Sequence, residues 1–291
     1  MTDDPAQSTV VDAEPAQRVG GTRPVSRAER ARRTAYRSRF AAVYVVLAAI
    51  VGVAVGSFIV LSSREDPPPP PKWSDWQPTG SSEARLKQIA DRVSRPYRLK
   101  SGNELAAALV STPQVTSPDQ SGSRTVSVPV SAIAVRPDTS RGQAEESDID
   151  FVQANSSIYF ILCGLGDRCS INEGSASTAR HELLRREALE LSLYTFKYVE
   201  GIDSITVFLP PNPNPQSTPT AVFLKRTDLT NQLKEPLSRT LGPTTPHIGE
   251  MPQHELTTVN DATLPRLYAY DYTQAQDGSA ILVLAPVPLG S

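Results

Sequence analysis

Chemistry-bearing side chains are scarce in this chain. Its 291 residues include three histidines, two cysteines and two tryptophans. No Gly-x-Ser-x-Gly occurs and no lysine stands three residues after a serine, which removes two serine-nucleophile signatures. Neither Gly-x-Gly-x-x-Gly nor a P-loop lysine is present, so no nucleotide-binding turn is indicated. His181-Glu182 opens like the zinc-protease helix His-Glu-x-x-His, but position 185 is arginine and half the metal site is missing. His181 therefore reads as an exposed residue of a first helical turn, and His247 and His254 as members of a proline-containing loop. Glu145, Glu146, Asp148 and Asp150 lack the glycine and distal glutamate of a calcium loop and read as a solvated loop. No catalytic residue, metal or cofactor is called for.

Long apolar runs are equally rare, and the one present is decisive. Phe40 to Leu61 carries no charge. As a helix it spans about 33 Å, enough for a bilayer core. It is too long for the apolar region of a cleaved signal, so it reads as a retained anchor over 40–62. Eight arginines precede it, from Arg18 to Arg39, whereas Glu65 and Asp66 stand beside Arg64 after it. The positive-inside bias puts the N-terminus in the cytoplasm and the bulk of the chain outside the cell membrane. Within the run, Ala48, Gly52 and Gly56 repeat every four residues. That spacing fits a weak homodimer through close helix approach, or simply the small-residue content of a lone anchor.

The net charge of −2 hides a split. Residues 1–39 carry a net of +3, which leaves −5 for the rest. The outer part is mildly acidic and lacks the footprint of a nucleic-acid binder. Both cysteines, Cys163 and Cys169, fall in that part. An even count in an oxidising compartment reads as a short-loop disulfide, worth about 2 kcal/mol by chain entropy.

Four segments follow from composition. Residues 1–39, rich in Ala, Arg and Pro without apolar periodicity, read as a disordered basic tail. After the anchor comes a Pro-rich linker over 63–81, with Pro67 to Pro71 as a stiff polyproline II spacer. Trp73 and Trp76 follow at once and read as pins holding the linker to the domain. Residues 82–291 read as an α+β domain with a mixed sheet. Helices are expected at 82–94, 102–110 and 177–200. Strands are expected at 124–135, with Pro129 marking an edge, and at 157–163, 204–209 and 220–226. A hairpin should turn at Asp277-Gly278. Strand, long helix, strand from 157 to 209 is a βαβ unit with parallel strands. Leu184 and Leu191 should be buried under its helix, with Arg185 and Arg186 partly solvated. Tyr268, Tyr270 and Tyr272 share one strand face, either as a binding surface or as half-buried packing beneath a helix.

Trp73-Ser-Asp-Trp-Gln-Pro78, Cys163-Gly-Leu-Gly before Cys169, and Leu183-Leu-Arg-Arg-Glu-Ala-Leu-Glu-Leu191 together carry a resemblance. From the linker to about Leu241 the chain resembles uncharacterised single-pass membrane proteins of high-GC Gram-positive bacteria. The resemblance implies an envelope location and no activity. The function expected is a membrane-anchored interaction module of the cell envelope, with an envelope protein or cell-wall component as partner. The alternative is an envelope hydrolase of peptide or glycan, using Glu145 or Asp150 near a histidine.

Overall fold

The computed structural model describes residues 27–62, 72–118, 125–138, 148–211 and 217–287. Two compact units divide the chain between Pro69 and Pro70. In the first, helix α1 runs from Arg27 to Ser62. Its Phe40–Ile59 stretch is long and apolar enough to cross a membrane, and none of it is buried within the protein. The helix begins thirteen residues before the apolar run, so residues 27–39 are helical rather than disordered. Ala, Arg and Glu are strong helix formers, and extending an existing helix avoids the cost of a new nucleus. Residues 1–26 and the Pro67–Pro71 spacer lie outside the described residues.

The second unit holds a nine-stranded mixed sheet among the described residues. Its strands are β1 (Ala107–Ser111), β2 (Gln114–Pro118), β3 (Thr125–Val135), β4 (Asp150–Gln153) and β5 (Ser157–Cys163). They continue as β6 (Ser204–Phe208), β7 (Thr220–Lys225), β8 (Leu267–Gln274) and β9 (Ala280–Pro286). The helices are α2 (Ser82–Ser94), α3 (Thr178–Tyr198), α4 (Thr230–Lys234) and α5 (Gln253–Thr263). The sheet order is β1-β5-β6-β7-β8-β9-β3-β2, with β4 also on β3. β5 and β6 are parallel, joined through α3. β8 and β9 form the antiparallel hairpin around Asp277 and Gly278.

The ends of this sheet meet. Only Thr112 and Pro113 separate β1 from β2, which sit at opposite ends of the strand order. β4 likewise runs through one turn, Ala154–Ser156, straight into β5. The sheet therefore curls back on itself and has two cores. One lies between the sheet and α2, α3 and α5, and contains Ile89, Leu184, Leu191, Val207 and Val259. The other lies inside the curl and joins Ile133 of β3 to Tyr159 of β5, Phe223 of β7 and Leu282 of β9.

Several local expectations are overturned. Residues 107–110 are strand rather than helix: β1 pairs all five residues with β5. Alanine content favours a helix there, but an unpaired central strand recruits the segment. β3 is not an edge, since β9 lies on one side and β2 and β4 on the other. The Val130 N–H donates to the Pro113 oxygen on the β2 side. The nitrogen of Pro129 then faces the other way, before pairing with β9 begins at Val130. Arg185 and Arg186 are 3% and 1% exposed, not solvated. α2 and α5 pack on α3 beside the sheet and shield Arg185, Arg186 and Glu187 from water. His254 belongs to α5 rather than a loop, and His181 is half-buried.

Candidate functional site

A cleft of about 570 Å³ gathers segments far apart in sequence. One wall is the strap 72–76. The others come from the end of α2, from Glu190 and Tyr194 of α3, and from the loop 237–245. The strap is fastened at several points. The Trp73 indole N–H donates to the Gln232 carbonyl at 3.2 Å, and the Trp73 oxygen accepts from the Leu237 N–H at 2.7 Å. Its ring meets Tyr194 and Tyr198 edge-on at 5.3 and 5.6 Å, with the Lys197 ammonium 5.5 Å away over the indole. Trp76 meets Tyr194 at 5.5 Å, and the Arg92 guanidinium lies over it at 5.9 Å. The Ser74 hydroxyl bonds the Trp76 carbonyl and pairs with the Tyr198 hydroxyl at 2.9 Å. Residues 72–81 thus pack as part of the domain rather than as free linker.

A buried ionic network stands behind the cleft. Arg186 donates through Nε to Glu255 Oε1 at 2.8 Å and through Nη1 to Glu190 Oε2 at 3.0 Å. Its other bonds reach the Tyr97 hydroxyl at 2.5 Å and the Gly242 carbonyl at 3.1 Å. Glu255 Oε1 also accepts the Gly242 N–H at 2.7 Å, and Tyr97 donates to Glu190 Oε2 at 2.7 Å. One guanidinium therefore ties α3 to α5 and to the Gly242 loop, and through Tyr97 to the residues that follow α2. Glu182, the i,i+4 neighbour that spacing offers Arg186, is not its partner. Burial raises the Glu190 carboxyl above its ordinary range, and Arg186 and Tyr97 oppose that. Two of the carboxylates that line or back the cleft are thus fixed in place, at the cost of desolvating several charges.

Glu187 is wholly buried, and neither carboxylate oxygen has a hydrogen-bond partner among the described residues. Burial pushes its pKa well up, with Glu190 and Glu104 adding to the rise. Arg185 donates to Thr263 and Asn260 of α5 at 2.9 and 2.8 Å. His181 lines a smaller pocket of about 240 Å³ beside Pro210 and Pro211. Burial and then Arg185 lower its pKa to about 4, so it is neutral at pH 7.

The residues singled out from sequence lie elsewhere. Tyr268, Tyr270 and Tyr272 line the helix-free inner face of the curl, half-buried, not beneath a helix. Tyr270 packs on Phe208 at 4.7 Å and on Tyr272 at 6.2 Å, and Tyr268 on Phe223 at 6.3 Å. Burial raises all three hydroxyl pKa values. Asp150 pairs with Lys225, and Glu145 and Glu146 lie outside the described residues. Gly52 and Gly56 of α1 meet nothing within 4 Å where a side chain would project. Among the described residues no three His, Cys, Asp or Glu side chains gather as metal ligands.

The Cys163 and Cys169 sulfurs lie at disulfide distance. Between them the chain turns tightly. A Cβ at Gly164 would stand 2.4 Å from the Ser170 oxygen, so only glycine fits. Leu165, Arg168 and Cys169 all take positive φ. Non-reducing peptide mapping should recover the two cysteines in one crosslinked fragment. Replacing both with serine should lower stability by about 2 kcal/mol. Alkylation of both thiols in unreduced protein would refute the bond.

Comparison of the chain with protein-family models, with curated proteins and with solved structures finds no match in any of the three.

Proposed function

We propose that the chain is a single-pass protein of the bacterial cell membrane, with its basic N-terminal segment in the cytoplasm and its folded domain outside. There it serves as an interaction module that binds a cell-envelope partner through the strap-walled cleft. The observation that carries this reading is Phe40–Ile59, an apolar helix with no part buried in the protein. Arginines crowd one flank of it only. The resemblance of the strap and α3 sequences to single-pass membrane proteins of high-GC Gram-positive bacteria agrees with that location, as does a cysteine pair at disulfide distance. The cleft supports binding, because fixed polar groups and aromatic walls meet in a volume typical of small-ligand sites. A small homodimer contribution from Ala48, Gly52 and Gly56 belongs to the same reading.

Fusion reporters test the topology. A reporter active only outside the membrane should work after Ser291 and fail within residues 1–39. The reverse pattern would overturn the location.

One observation favours a hydrolase of peptide or glycan: Glu190 is a cleft carboxyl with a raised pKa, a trait of general acids. Glu187, its nearest acidic companion on α3, is sealed from the cleft and supplies no second catalytic carboxylate. Asp150 is held by Lys225 and does not line the cleft. Turnover of peptidoglycan by the purified chain, lost in Glu190→Gln, would reverse the preference.

A further inference from the structure

We propose that the cleft is a saccharide site, taking a short oligosaccharide between the Trp73–Trp76 strap and the loop 242–245. The inference deepens the binding-module reading and rests on it. The lining is of two kinds in close alternation. Trp73, Trp76 and Tyr194 supply rings, while Glu190, Arg92 and the hydroxyls of Ser238, Thr244 and Thr245 supply polar groups. A pyranose has the same division, with apolar C–H faces and a belt of hydroxyls. Its faces pack on rings, and its hydroxyls bridge carboxylate and guanidinium. An apolar ligand would bury Glu190 and Arg92 without hydrogen bonds, which their desolvation penalises. A polyanion would meet Asp75 and Glu190 as well as the cations. The volume, about 570 Å³, holds more than one sugar ring.

The floor is built in advance. Glu190 Oε2 is held by Tyr97 and Arg186, which leaves Oε1 with no partner among the described residues. Its side chain keeps 17% of its surface open. Glu190 is thus an aimed acceptor, fixed before any ligand arrives. The same Arg186 fixes the Gly242 end of the opposite loop. A buried ionic network that contributes little net stability is explained if it sets the distance between floor and loop.

The strap adds a consequence. It is both a wall of the cleft and the segment that leads back, through residues 63–71, to the apolar helix. A ligand that touches the strap must bind more tightly when the strap is docked, and must in turn hold it there. Trp73 and Trp76 are the chain's two tryptophans, so tryptophan emission, excited where tyrosine does not absorb, reads the strap alone.

The test uses the full chain in a zwitterionic detergent without sugar headgroups. It is titrated with the N-acetylglucosamine tetramer, with maltotetraose and with tetra-alanine. At least one saccharide should give a saturable change in tryptophan fluorescence, half-complete below about 1 mM, the weak end of specific binding. Glu190→Gln should weaken it tenfold or more, and Thr245→Val, on the opposite rim and away from the buried network, severalfold. Saturation by neither saccharide overturns the assignment, and so does saturation equal in wild type and both variants. A response to tetra-alanine alone sinks the saccharide and leaves the binding module standing. A saccharide response combined with inverted reporter topology sinks the location and leaves the site.

Discussion

Arg186→Ala should destabilise the folded domain by about 3–5 kcal/mol, the usual result of breaking a buried ion pair from one side. Folded domains of this kind are stable by only about 5–15 kcal/mol, so much of the reserve would go. The guanidinium is 1% exposed and serves four partners at once: Glu190, Glu255, Tyr97 and the Gly242 carbonyl. Removing it leaves Glu255, itself 2% exposed, as a buried carboxylate with only the Gly242 N–H. Arg186→Lys should recover little, because an ammonium cannot reach partners that a planar fork spans in several directions. Removing both charges together, as Arg186→Met with Glu255→Gln, should cost much less than the sum of the single changes. Urea unfolding of the detergent-solubilised chain, followed by near-ultraviolet circular dichroism, measures each variant. A loss below about 1 kcal/mol for Arg186→Ala would show that the network is not closed to water as described.

That network also marks the limit of what the sequence conveys. The unit β5–α3–β6 was legible because Ser157–Cys163 is an uninterrupted uncharged run and the helix after it is long. A parallel return needs a crossover of a dozen or more residues, and α3 supplies it. Arg185 and Arg186 misled, because adjacent charges on a helix ordinarily mark solvated positions. They are buried by α5 and by the residues after α2, neither of which announces a contact with α3 in its own pattern. β1 was hidden for a related reason: Ala-Ala-Leu-Val-Ser becomes a strand only because β5 has a free side. The cleft was the least legible feature, since its walls come from residues near 72–76, 92–96, 190–194 and 237–245. Its single trace in the sequence is the pair Trp73 and Trp76, the sole indoles, set directly after the proline run. The tyrosines of β8 were more visible because strand alternation is local. Their neighbour across the curl, Tyr159, was not.

Glu187 should make the domain less stable as pH rises, opposite to the usual behaviour of a paired carboxylate. Burial is the first cause of its raised pKa; Glu190 and Glu104 add to it, and Arg186 offsets part. The folded state therefore keeps the proton to a higher pH than the unfolded chain, whose glutamates titrate near the ordinary value of 4.5. Between those two points the folded protein binds more protons than the unfolded one. Unfolding free energy then falls with pH, by about 1.4 kcal/mol per unit for one proton. The contribution is fully present below 4.5 and is lost progressively above it. Glu190 is raised as well and adds a component of the same sign, so the wild-type slope alone does not isolate Glu187. Glu187→Gln does. The amide keeps the shape, carries no titrating proton, and leaves a constant offset from its own unpartnered groups. Plotted from pH 5 toward pH 8, the difference in unfolding free energy between Glu187→Gln and wild type should grow in favour of the variant while folded Glu187 keeps its proton, and level off once it ionises. A difference that stays flat across that range would mean that Glu187 is ionised in the fold, with water or a counter-charge at its two bare oxygens.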